Sequence, residues 1–245
     1  MYNFTLKKDK PDTLIDLGVR LALMLDVGKL RNAYSGRERL IWRDGTLKEY
    51  VQDVFPDTAV LDHSGIKLST LFTARNLNRV TGFRVELTTN LGDHLRWREG
   101  DKTVSIFHHA SFLQCQQMNS IYPDGFVEET LRTLVLLFPQ GDKNTKWWYS
   151  KRDNDAKDLD PGVLDCGRIR EDHLQIEKYT FWHDRLVILK EAFDRSQPRS
   201  LLQLWNDRRD SSQWYTLWVV IFLTLFFGLI QSIEGAIQIY KIYHP

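Results

Sequence analysis

Asp93, His94, His108, His109 and Cys115 are the side chains whose types and closeness in sequence could hold a metal ion or move a proton. Imidazole titrates near neutral pH and ligates divalent metals, and carboxylates or thiolates complete many such sites. Their spacing supplies no ready-made site. His108 and His109 follow one another at the end of an extended run, Thr103–Phe107, where the pleat sends successive side chains to opposite faces. No HExxH or CxxC spacing occurs, and there is no Walker loop, GxGxxG or GxSxG elbow. Two readings stay open: core or capping histidines satisfied by hydrogen bonds, or an enzyme site assembled in space around His94, His108 and His109. The motifs imply no cofactor and no metal, and catalytic residues stay unassigned.

A second group of residues could join helices. Gly228, Ser232 and Ala236 recur every fourth position, Thr224 continues the row, and Gln231, Glu234, Gly235 and Gln238 lie on or beside it. Small residues at that spacing let two helices approach closely, and an amide in an apolar layer seeks a hydrogen-bond partner. The expected association face is Gly228, Gln231, Ser232 and Gly235. The other reading is that this stretch is the polar interfacial end of a single helix.

The element that carries these residues is Trp214–Ile233, WYTLWVVIFLTLFFGLIQSI, with Asp210 and Glu234 as its nearest charges. About 20 such residues in a helix, at ~1.5 Å each, cross the ~30 Å hydrocarbon layer of a bilayer. The sequence predicts a single-pass transmembrane anchor over 213–240 with a short tail, 241–245, inserted after translation as in tail-anchored proteins. Trp214, Tyr215 and Trp218 are the expected anchors at one interface, and Tyr240 and Tyr243 at the other. Arg195, Arg199, Arg208 and Arg209 precede the span whereas Lys241 follows it, which predicts a cytosolic N-terminal body. The organelle is not legible.

Length and composition bound the rest. The chain of 245 residues allows one ordinary domain plus the anchor, and a formal net charge of +1 gives no global field for nucleic acid. The 2 cysteines are too few for a disulfide framework and suit a reducing compartment. MYNFTLKKDKPDT lacks the apolar run of a signal peptide.

The predicted fold is α+β and predominantly helical, with a body over 1–139. Leu14–Val27 reads as a buried helix with Leu17, Leu21, Met24 and Leu25 on one face, capped by Asp12 or Thr13 and stopped by Gly28, although its alternation also fits a strand. Leu40–Trp42 is a candidate strand. Thr46 caps a helix over Leu47–Phe55 that Pro56 ends. An extended segment at Thr58–Asp62, a helix at Ser69–Val80, a run at Phe83–Thr88 and a short helix at Thr89–Leu95 follow. Leu95–Arg98 and Thr103–Phe107 form a hairpin around Glu99–Lys102. This order resembles a winged-helix-like module over 46–108, or a generic α+β domain built from the same pieces. The Thr89–Leu95 helix carries no Lys or Arg, so nucleic-acid binding is not expected.

Ala110–Met118 and Phe126–Phe138 read as helices, the second capped by Asp124. Residues 140–167 read as a polar, mobile linker with Trp147, Trp148 and Tyr149 docked from its middle. Over 168–212 the pattern is amphipathic and interfacial. Ile176, Tyr179, Trp182, Leu186, Leu189 and Phe193 mark one stripe of a long helix, Ile169–Phe193, and a short interfacial helix covers Leu201–Arg209. The stripe packs on the body or pairs with a second copy.

FWHDRLVILKEAFD (Phe181–Asp194), LWNDRRDSSQWYTLWV (Leu204–Val219) and FFGLIQSIEGAIQIYKIYHP (Phe226–Pro245) resemble an uncharacterised family of filamentous-fungal single-span membrane proteins. ARNLNRVTGFRVELTTNLGDHL (Ala74–Leu95), SIFHHASFL (Ser105–Leu113) and DGFVEETLRTLVLLFP (Asp124–Pro139) are similar to the same group. The resemblance implies a fungal origin and a membrane anchor, and no catalytic activity. The expectation is a C-terminally anchored, cytosol-facing interaction or scaffold module. Its partners would be the lipid bilayer, an unidentified cytosolic protein and a second copy through the membrane helix. The alternatives are a membrane-tethered enzyme using the histidine region and an oligomeric pore lined by Glu234.

Overall fold

The computed structural model describes residues 14–28, 40–42, 44–62, 66–118, 121–153, 159–196 and 211–243. The chain divides into two compact units at Gln197/Pro198. The first is α+β and helix-rich. Its regular elements are α1 (Leu14–Leu23), α2 (Leu47–Val54), α3 (Ala74–Arg79), β1 (Arg84–Thr88), β2 (Arg96–Arg98), β3 (Thr103–Phe107), α4 (Ala110–Gln116), α5 (Phe126–Leu137), α6 (Lys143–Asp153) and α7 (His183–Arg195). The second unit holds α8 (Ser211–Tyr243).

The centre of the first unit is α5. Its sequence FVEETLRTLVLL is apolar enough to be buried on nearly every face, and it hides Glu129, Thr130 and Thr133 together with Phe126 and Leu134–Leu137. Those three polar side chains are tolerated because each is hydrogen-bonded. Thr130 donates to the Phe126 carbonyl at 2.8 Å and Thr133 to the Thr130 carbonyl at 2.6 Å. Beside the helix lies a three-stranded sheet, ordered β1-β3-β2. All five residues of β3 are buried. The expected hairpin is present, with Trp97 opposite Val104 and Arg98 opposite Thr103. β1 pairs parallel to β3, Val85 opposite Val104. In place of a recognition helix before β2 stands a single 3-10 turn, Leu91–Asp93. Asn90 shapes it, accepting from Gly92 N at 3.3 Å and from Asp26 N at 3.0 Å, so the backbone is spent on a tight turn rather than a helix.

Several local expectations hold. Thr46 and Glu49 form a reciprocal capping box at α2, the Thr46 hydroxyl accepting from Glu49 N at 3.2 Å and the Glu49 carboxylate from Thr46 N at 2.8 Å. The apolar stripe from Ile176 to Phe193 is buried throughout, with Trp182 and Phe193 both packed into the core.

Others are corrected. α1 buries Val19 and Leu23, while Leu17 and Leu21 are 49% and 71% exposed, so the face chosen from the pattern points outward. The helix stops at Leu23 because Met24 turns left-handed at φ 48°, ahead of Gly28, and Leu25 and Val27 are then buried as extended chain. Asp12 and Thr13 lie outside the described residues. Leu40–Trp42 contributes one bridge, Leu40 to Val27, rather than a strand. Among the described residues the Thr58–Asp62 segment forms no strand; Val60 N and Leu61 N donate to Asp184 at 3.1 and 3.0 Å. α3 starts only at Ala74, because the Thr73 hydroxyl caps it through Asn76 N at 3.2 Å. Gly125, left-handed at φ 80°, stands at the N-cap of α5 rather than Asp124.

Residues 140–167 contain α6, not a bare linker. Trp148 and Tyr149 are buried, as docking of the aromatic triplet requires, and Trp147 is half exposed. Trp148 Nε1 donates to Asn78 Oδ1 at 3.1 Å, Tyr149 OH to the Asp160 carbonyl at 2.9 Å and Arg152 to the Val85 carbonyl at 2.6 Å. Gln140 N donates to the Gly167 carbonyl at 2.9 Å and closes the segment on itself. The long helix Ile169–Phe193 is likewise absent: 3-10 turns at Glu171–Leu174 and Ile176–Lys178 precede α7. Glu129 is the physical reason, since its carboxylate takes the backbone N–H groups of Thr180 and Trp182, both at 2.8 Å, that a continuous helix would use internally. The interfacial helix expected at Leu201–Arg209 lies outside the described residues.

Candidate functional site

His94 is not presented to solvent. It is fully buried between β3, α5 and α7, its ring edge-on to Trp182 with centroids 4.8 Å apart. Phe107 N donates to His94 Nδ1 at 3.2 Å, which leaves the proton on Nε2, facing Thr133 Oγ1 at 2.7 Å. The relay runs from Nε2–H to the Thr133 hydroxyl and on to the Thr130 carbonyl. Burial, aided by the Arg185 guanidinium, pushes the imidazole down to about 3, so it stays neutral and acts as a fixed two-sided connector. Trp182 joins the same network by donating to Thr130 Oγ1 at 2.8 Å.

His108 and His109 do not point to opposite faces. Their rings are 4.2 Å apart and tilted by 37°. The strand ends at Phe107 and His109 turns away at φ −85°, ψ 74°, so the alternation of the pleat no longer applies. His108 Nδ1 donates to the Thr88 carbonyl at 3.1 Å, clamping the end of β1. Asp160 lies near His109 and holds the start of α4 through Ser111, whose backbone N and hydroxyl donate to it at 2.7 and 2.8 Å. These bonds, with Gly162 N and the His109 charge, hold the Asp160 carboxyl below its usual range against the opposing effect of burial. Cys115 is exposed, and Asp93 pairs with Arg96 at 3.3 Å. Among the described residues the structure brings His108 to His109 but gives His94 no imidazole partner, and no three His, Cys, Asp or Glu side chains converge as metal ligands.

Three groups that carry the architecture were not singled out by the sequence. Glu129 sits among apolar residues with its carboxyl raised by burial, although the Thr180 and Trp182 N–H groups oppose that shift. Asp160 joins α4 to the Pro161–Asp165 turn, and a sequence signal existed in Asp-Pro-Gly. Arg185 leaves α7 to donate from Nη1 to the carbonyls of Gly92 and His94, at 2.9 and 2.6 Å, and lies over the Trp182 ring at 5.2 Å. Its spacing of three from Trp182 on a helix was the only hint.

Arg185 also borders a cleft of about 460 Å³, whose floor and walls are the Asn90–Asp93 turn, Trp97 of β2, Val54 of α2 and Ile188 of α7.

In the second unit, α8 is a 33-residue helix. Tyr215–Gly235, 21 residues of mean hydropathy 2.1 with none buried, is long and apolar enough to cross a membrane. Tyr215 is exposed and Trp218 half-buried; the side chains of Trp214, Tyr240 and Tyr243 lie outside those described. Gly228, Gln231, Ser232 and Gly235 are all on this helix, and a Cβ added at Gly228 or Gly235 would meet open space.

No protein-family model, curated protein or solved structure matches the chain.

Proposed function

We propose that the chain is a single-pass membrane protein whose helix-rich body faces the cytosol as an interaction or scaffold module. The observation that carries the reading is Tyr215–Gly235, 21 residues of mean hydropathy 2.1 with no part buried. In water, an exposed run of Phe222, Leu223, Leu225, Phe226, Phe227 and Leu229 would be strongly unfavourable, and a bilayer removes that cost. The basic residues ahead of the span support the cytosolic side for the body. The body itself is organised by buried, mutually satisfied polar groups, as a rigid platform requires. Within the bilayer, Gly228, Gln231, Ser232 and Gly235 provide a face for a second copy, with the open space at both glycines supporting close approach.

Alkaline carbonate extraction tests the anchor. Wild type stays in the membrane pellet, while Leu225→Arg with Leu229→Arg, each costing about 2.5–3.5 kcal/mol in a span, moves the protein to the supernatant. Wild type released by carbonate would defeat the reading. Proximity labelling from the anchored protein then reports the neighbouring cytosolic proteins.

A further inference from the structure

We propose that the cleft between the Leu91–Asp93 turn, β2 and α7 binds a small amphipathic anion, its head on the Arg185 guanidinium and its apolar body against Val54, Trp97 and Ile188.

The argument begins with Arg185. Its side chain is half-buried, and burial holds the guanidinium below its ordinary range while the Asp93 charge opposes the shift. A guanidinium carries five donors, and here Nη1 alone serves two backbone carbonyls. Among the described residues it forms no ion pair. Asp93, the nearest carboxylate in the cleft, is already engaged by Arg96 at 3.3 Å. Among its described lining residues the cleft carries Arg185, Arg96 and Asp93, and a guanidinium taken partly out of water with donors unspent is expensive even beside the Asp93 charge. An anion placed there would take the remaining donors through a charge-assisted, fork-like contact.

The shape supplies the second half. At about 460 Å³ the space falls in the range of small-molecule sites, roughly 300–1,000 Å³. Beside the arginines its walls are apolar: Val54, Leu95, Trp97 and Ile188 line it, and Ile188 is 45% exposed on a helix whose neighbours Val187 and Leu189 are buried. An exposed isoleucine facing a concave space beside an incompletely paired arginine suits a ligand with a charged head and an alkyl or aryl body. The head group is a carboxylate or a phosphate; a carboxylate points to a free organic acid and a phosphate to a lipid-like monoester. The site would read one further signal. Arg185 holds the carbonyls of Gly92 and His94, so an occupied site stiffens the turn that leads into β2.

The test uses the full chain in nanodiscs of zwitterionic lipid, titrated calorimetrically with octanoate, octyl phosphate, octylammonium and inorganic phosphate, with empty nanodiscs subtracted. One octyl anion saturates a single site, and which of the two binds tells carboxylate from phosphate. Arg185→Gln weakens that binding about tenfold or more, the cost of a lost charge-assisted contact. Because Arg185 also supports the turn, Ile188→Trp serves as the second variant: it fills the cleft, leaves the guanidinium in place, and lowers affinity by a similar factor. Octylammonium or inorganic phosphate binding as tightly as the octyl anions would overturn the proposal. So would an affinity unchanged in Ile188→Trp, or saturation by neither octyl anion.

Discussion

Replacing His94 by Phe keeps a ring against Trp182 and removes both hydrogen bonds and the titration. At neutral pH the loss leaves Phe107 N–H without its His94 acceptor and the Thr133 hydroxyl, still bonded to the Thr130 carbonyl, without its donor, a destabilisation of about 1–3 kcal/mol. The pH dependence is the sharper consequence. His94 has an ordinary value of 6.5, pushed to about 3 in the folded chain by burial and then by Arg185. Between those values the unfolded chain binds a proton that the folded chain refuses. The stability His94 confers is therefore fully present above pH 6.5 and is lost as pH falls toward 3. The slope is about 1.4 kcal/mol per pH unit, or about 2.7 kcal/mol two units below the unfolded value. Wild type and His94→Phe, both full chains in the same detergent, are compared by urea unfolding between about pH 4 and pH 8. The wild-type advantage shrinks by about 2.7 kcal/mol on reaching pH 4.5. Two parallel stability curves would refute the neutral, buried connector, whatever their vertical offset.

Four further outcomes follow from other contacts. Glu129→Ala removes the acceptor of the buried Trp182 N–H and of the part-buried Thr180 N–H and costs about 1–3 kcal/mol in urea unfolding, with Glu129→Gln recovering part of it. Thr46→Ala breaks the capping box of α2 and lowers stability by about 1 kcal/mol, read from the shift of the urea midpoint. Leu23→Ala costs about 2–5 kcal/mol whereas Leu17→Ala stays within about 0.5 kcal/mol, a contrast that tests which face of α1 is inward. Trp148→Ala undocks α6 from Asn78 at a cost of about 3–5 kcal/mol and accelerates hydrogen exchange across Lys143–Asp153.

What was legible in the chain was local and periodic. The capping box at Thr46, the turn at Glu99–Lys102 and the apolar run of α8 each write their cause within a few residues of their effect. The stripe from Ile176 to Phe193 was legible as burial but not as a helix, because spacing by three or four fits a chain of 3-10 turns as well as an α-helix. What interrupts that helix is Glu129, some fifty residues earlier in the chain, and no local pattern can show it. α1 failed for a related reason: with Leu, Val and Ala on most positions, the core contact at Leu23, where Tyr122 donates to the backbone carbonyl at 3.0 Å, selects the inward face. The polar composition of 140–167 concealed a helix whose buried face, among the described side chains, is Thr145, Trp148 and Tyr149. At the candidate sites the histidines were legible as chemistry, and their environment was not. Arg185 was missed because its role depends on carbonyls brought from a turn more than ninety residues away.

Thiol accessibility tests most directly whether the chain crosses a membrane once with its body in the cytosol. Cys115 is exposed, so in a Cys166→Ser background it reports on the body, while Lys241→Cys adds a reporter beyond the span. In sealed vesicles with the cytosolic face outward, a membrane-impermeant maleimide labels Cys115 at once and reaches position 241 only after detergent is added. Immediate labelling of both positions, or protection of Cys115, would contradict that topology.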